Sequence, residues 1–215
     1  PKISRRNSCI NFKNFKNQKK QMKIILASKS GVRKKILDKH RIECDVIVSN
    51  VDEDQVKESL LAEGANPLAV SKNLAEIKSI NVSNKNPDRL VLGADSVISL
   101  NDKLINKPKS REEALEILKK LNNTKHYLIS SACISKNGSM IWNYSDQSEL
   151  KMKNFGNDDL LKYLNKIKTK TLLAYGVYQI EADGLDLFEH IKGNQDSIMG
   201  LPIKQIINYM QEYKK

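Results

Sequence analysis

The chain has 215 residues, 40% apolar and 29% charged, with 37 Lys plus Arg against 25 Asp plus Glu for a formal charge of +12. The apolar share excludes a wholly disordered chain, and the length suffices for one domain, or two small lobes, with a real core. No apolar run approaches the roughly 18 to 20 residues a membrane helix needs, so no membrane partner is expected.

In chain order, residues 1–21 (PKISRRNSCINFKNFKNQKKQ) carry seven Lys or Arg and no acid, which leaves only five surplus charges for residues 22–215. They read as a disordered basic extension, 1–21, preceding a folded domain, 22–215. A nucleic-acid arm, an amphipathic targeting peptide and an upstream stretch before a start at Met22 are the alternatives. The stretch lacks the Arg-aromatic interleaving of nucleic-acid arms, so a dispensable tail is the favoured reading and nucleic acid an unfavoured partner.

Lys23 to Ala27 is a short apolar run ended by Ser28-Lys29-Ser30-Gly31, a buried strand feeding a polar turn. A helix is expected over Val32 to Lys39, a strand over Cys44 to Ser49, and a loop carrying Asp52, Glu53 and Asp54. Helices follow at Gln55 to Glu63 and at Pro67 to about Val82, where Pro67 starts the second. Arg89 to Ala94 reads as a central strand ending on Asp95, and Ser110 to Glu113 as a capping box opening a helix to Leu121. Asn137-Gly138 joins two β runs, Tyr127 to Lys136 and Ser139 to Asn143, as a hairpin. Asp158 to Ile167 and Leu201 to Glu212 read as helices, Tyr175 to Glu181 and Leu185 to Ile191 as extended. The order predicts an α/β fold, a mixed β-sheet with flanking helices.

The three cysteines, Cys9, Cys44 and Cys133, form no C-x-x-C pair, which argues against a disulfide framework and a thiolate zinc site. A reducing, cytoplasmic location is expected. His40, His126 and His190 lack metal spacing.

Chemistry concentrates in three places. The strand, hydroxyl-rich turn and basic helix start at Leu26 to Lys35 suit an anion such as phosphate, or form only a surface turn. Neither a Walker loop nor a G-x-G-x-x-G is present. Asp95, at the expected end of a buried strand, holds a metal, acts as a base or merely caps the turn. Lys107 before the capped helix is a ligand or a solvated lysine.

As a set these pieces resemble the Maf family (septum formation inhibitor-like), which are nucleoside triphosphate pyrophosphatases. Leu26-Ala27-Ser28-Lys29-Ser30-Gly31-Val32-Arg33 is similar to the family's L-A-S-x-S-P-R-R, Val51-Asp52-Glu53 to V-D-E, and Leu74 to Lys78 to L-A-x-x-K. Leu92 to Ser96 resembles G-A-D-T/S, Asn106-Lys107-Pro108 G-K-P, Tyr178 to Glu181 Y-x-I-Q/E, and Gly200 to Ile203 G-L-P-L; His126 also falls where the family has it. The resemblance implies two lobes around a cleft, an inosine triphosphate pyrophosphatase-like fold, often a homodimer, and hydrolysis of a nucleoside triphosphate with Mg²⁺ or Mn²⁺. It implies Asp95 as the catalytic carboxylate touching the metal and Glu53 as a second metal-side carboxylate. Ser28, Ser30, Arg33, Lys78 and Lys107 become the triphosphate ligands. Gly31 and Val32 depart from the P-R of the pattern, and Val32, Ser96 and Glu181 become the specificity positions. Glu181 stands where the dTTP/UTP branch has Gln and cannot donate as an amide does, so a substrate outside that branch is expected. Two other readings stand beside it: a catalytically weak Maf-like regulator of cell division, and a basic nucleic-acid-binding module.

Overall fold

In the computed structural model, which describes residues 23–180 and 183–213, the first strand already separates two faces. Successive strand side chains alternate. Ile24 and Leu26 of β1 (Ile24–Leu26) enter a core with Ile36 and Leu37 of α1 (Gly31–Lys39), whereas Ile25 and Ala27 pack with Val82 and Val91. The chain continues through β2 (Cys44–Val46), α2 (Glu53–Ala62), α3 (Pro67–Ser83), β3 (Val91–Leu100), β4 (Lys103–Ile105) and α4 (Arg111–Leu121). The long hairpin β5 (Lys125–Lys136) and β6 (Ser139–Met152) follows, then α5 (Asn157–Lys166) and α6 (Thr169–Tyr175). A 3-10 turn (Asp183–Leu187), β7 (Phe188–Lys192), α7 (Gln195–Ile198) and α8 (Ile203–Tyr213) complete it. Helix starts are set locally: Ser30, Asp52, Asn66 and Ser110 each accept a backbone N–H of the first turn, worth about 1 kcal/mol apiece.

The strands form one mixed seven-stranded sheet in the order β2-β1-β3-β5-β6-β7, with β4 on β3. Two apolar cores sit along it. One gathers Leu92, Ala94, Leu201, Ile203 and Ile206 with β1 and α1. The other gathers Leu118, Leu150, Leu160, Leu172, Tyr178 and Phe188, with Ile98 and Leu100 packed against it. Along β3 the even-numbered residues therefore serve one core before Ser96 and the other after it, and Val91 and Gly93 face α3.

The edge pairing of β3 explains the opening between the cores. One edge pairs with β5 from Val91 to Ser99. The other pairs with β1 only at Val91 and Leu92 and with β4 only from Ile98 to Leu100. Residues 93–97 are left as a notch on that edge. Asp95 lies in it, mid-strand rather than at a strand end as the sequence predicts, because Val97 to Leu100 continue the ladder.

Other boundaries also shift. Glu53 opens α2 instead of lying in a loop, since Asp52 caps it. β2 stops at Val46, where its partner β1 ends. β6 runs on to Met152 because β5 pairs with it as far as Lys151 and Met152 pairs with Phe188 of β7. Residues 175–181, expected to be extended, begin at the end of α6, a helix that has no side-chain cap at Lys168 and stops at Gly176 with φ +97. Val177 and Tyr178 are buried there by packing, not by a ladder. The expected strand from Leu185 starts at Phe188, after the 3-10 turn. The short α7 carries no sequence signal beyond Asn194, its cap. Residues 1–21, Met22 and Glu181 lie outside the described residues. Among the described residues no helix is long and apolar enough to cross a membrane.

Candidate active site

A cleft of about 800 Å³ opens at the β3 notch and collects Ser28, Ser30, Val32, Arg33, Glu53, Lys78, Asp95, Ser96 and Lys107 on its walls. Glu181, outside the described residues, is the one expected site residue that is not placed.

α3 delivers the central cation. Its buried stripe runs Ser71, Leu74, Ala75, Lys78, Ser79, Val82, a helical spacing in which Lys78 takes a core position. Gly93 lets the helix approach. A Cβ there would overlap the Ala75 carbonyl and come within 2.8 Å of the Ser79 nitrogen. Lys78, 5% exposed, then reaches Asp95, 6% exposed, with Nζ 2.7 Å from Oδ1 and 3.0 Å from Oε1 of Glu53. A charge so buried requires such partners; removing one from a buried pair costs about 3–5 kcal/mol. Asp95 Oδ2 is buried and has no hydrogen-bond partner among the described residues.

α1 delivers the second cation. The Arg33 guanidinium donates from Nε to the Gly200 carbonyl (2.9 Å), from Nη1 to Ser28 Oγ (3.0 Å) and from Nη2 to Ser96 Oγ (3.1 Å). Ser96 is itself 2.9 Å from Ser130 Oγ. Gly200 holds φ +102, a left-handed backbone that favours glycine. The guanidinium is thus fixed in plane with two of its five N–H donors left for a ligand. Ser28 Oγ also accepts the Ser30 N–H, and Ser30 Oγ caps α1, so both hydroxyls have structural duties beside any ligand.

Electrostatics follow from this packing. Burial lowers the Arg33 pKa against the pull of Asp95 and Glu53, and lowers that of Lys107 against the same two carboxylates. Burial pushes Glu53 up, but Lys78, Lys107 and Lys57 outweigh it and hold the carboxylate below its ordinary range. The site is a cationic pocket that also holds the carboxylates of Asp95 and Glu53, suited to a polyphosphate whose reacting bond must meet a base.

Apolar side chains also line the cleft: Val48, Leu61, Leu173 and Tyr175 are each at least 38% exposed. The sequence does not point to Tyr175, to the Gly200 carbonyl or to Ser130. A lysine inside an otherwise apolar helical stripe is the signal by which Lys78 could be found from pattern alone.

The Maf-like protein family matches residues 23–213. This chain belongs to that family. The Maf-like chain is 58% identical over 191 residues, 89% of its length and 98% of the relative's, to a protein of Pelagibacter ubique named nucleoside triphosphate pyrophosphatase. It is 35% identical to a protein of that name from Ruegeria pomeroyi, covering 87% of this chain and 94% of the relative. It is 33% identical to a 7-methyl-GTP pyrophosphatase of Brucella abortus, covering 90% and 97%.

Proposed function

We propose that this Maf-like protein is a nucleoside triphosphate pyrophosphatase that releases a nucleoside monophosphate and pyrophosphate. The observation that carries the reading is the meeting, in one cleft, of a fixed guanidinium, a buried lysine and two carboxylates. The names of the relatives agree with it.

In this reading Arg33 and Lys107 draw the triphosphate in and hold it, with the turn at Ser28 to Ser30 beside them. Asp95 accepts the proton of the water that attacks between the α and β phosphates, and the surrounding cations offset the charge that develops. The apolar wall at Leu173 and Tyr175 receives the base.

The donor set fits a divalent cation. Among the described residues Asp95 Oδ2 has no partner, Glu53 stands across Lys78, and carboxylate oxygens suit Mg²⁺ or Mn²⁺. Among the described residues no three His, Cys, Asp or Glu converge, so Asp95 and Glu53 are the side chains that would hold the ion, beside its substrate. When bound, the ion supplies charge neutralisation at the phosphates.

Glu181 favours a substrate outside the dTTP/UTP class. Pyrophosphate release from dTTP, UTP, CTP and 7-methyl-GTP, with Mg²⁺ and with Mn²⁺, tests both points. Turnover is expected, with dTTP and UTP the poorer substrates; a clear preference for dTTP sinks the Glu181 argument, and no release from any nucleotide sinks the enzyme reading.

A further inference from the structure

We propose that Lys78 holds the place of the divalent cation in the resting protein, keeping the carboxylate pair closed to metal until the ammonium is drawn away. Its Nζ lies 2.7 Å from Asp95 and 3.0 Å from Glu53, between the two side chains that best suit a cation. Both distances are those of charge-assisted hydrogen bonds. The lysine is nine-tenths or more buried and comes from α3, while the carboxylates come from β3 and α2. One +1 charge therefore ties together three elements at the spot where two −1 charges would otherwise repel.

A divalent ion entering alone must break both ion pairs and leave the ammonium without a counter-charge in a buried place. A triphosphate changes this balance, since it offers the ammonium new oxygens at the same cleft. The site consequently discriminates against free metal and admits it together with polyphosphate. Lys78 is then a positioning residue that exchanges partners, carboxylates at rest and phosphate when loaded.

This rests on Asp95 and Glu53 being the metal-side carboxylates, but its test needs no turnover. Mn²⁺ binding to the full chain without nucleotide is measured by the EPR signal of free Mn²⁺. Weak binding is expected for the wild type, and binding about tenfold or more tighter for Lys78→Met. The gain should vanish in the double variant Lys78→Met with Asp95→Asn. Unchanged or weaker Mn²⁺ binding in Lys78→Met, with a native circular dichroism spectrum, overturns the proposal. A second measurement uses the wild type: saturating Mn²⁺ should raise the reactivity of Lys78 towards an amine-acylating reagent, read by mass spectrometry. Unchanged reactivity overturns it even where Lys78→Met does not fold. If the wild type hydrolyses nucleotides and these results are negative, only the place-holding role fails.

Discussion

Around the notch of the cleft the two central cations are held by fixed protein partners. Arg33 donates to three protein acceptors and Lys78 bridges two carboxylates, a set drawn from β3, α1, α2, α3 and the Gly200 carbonyl. In another part of the cleft lining Tyr175 and Leu173 stand exposed on a seven-residue helix that leads into residues outside any strand. The first end is rigid because burial makes each polar group costly to leave unpaired. The second presents large exposed apolar side chains, whose contacts tolerate shape change. Chemistry, which needs fixed donors, is expected at the first; choice of base, which needs only a fitting surface, at the second.

Substitutions should separate the two ends. Asp95→Asn keeps an oxygen acceptor for Lys78 but removes the proposed base, and should lower kcat about 10³-fold with the circular dichroism spectrum unchanged. Arg33→Lys cannot reproduce a planar fork with donors in three directions, and kcat/KM should fall about 10²-fold. If either loss appeared in KM alone, the rigid end would be a binding surface only.

The third test concerns the buried support beneath Tyr178, which lines the cleft. His126 is fully buried, its Nε2 3.0 Å from the Tyr178 hydroxyl, and burial lowers its pKa to about 4. Because the folded value lies below the unfolded one, this contribution to stability is complete above about pH 6.5. It declines as pH falls towards 4, by up to about 3 kcal/mol. Thermal melts of the wild type and His126→Phe from pH 7 to pH 4 should show a shallower acid decline in the variant; parallel curves would mean His126 is not charged on unfolding. The smallest effect is expected at Tyr175→Ala, about a threefold rise in KM with kcat unchanged, and Tyr175→Phe should restore it. A large kcat loss there would erase the contrast between the ends.

How much of this was legible in the sequence follows the same division. The turn from Ser28 to Arg33 and the apolar run before Asp95 are short-range signals, and the structure brings their residues into one cleft. The hairpin at Asn137-Gly138 and the cap at Ser110 fall where the pattern places them. The notch was not legible, since it arises from where β1 and β4 stop along a third strand, a non-local property. Nor was α6, whose start has no side-chain cap, or the role of Ser96, which touches Arg33 across 63 positions of sequence.

The pairing of β3 with β5 carries one more implication. Asp95 is opposite Ser131, and Ser96 opposite Ser130. Strand side chains alternate, so a slip of one residue that hands Ser96 to Lys78 would also put the carboxylate in the place of Ala94, inside an apolar core and out of reach of Lys78. The register of two strands is in effect an address: it decides which residue receives the lysine and which the arginine.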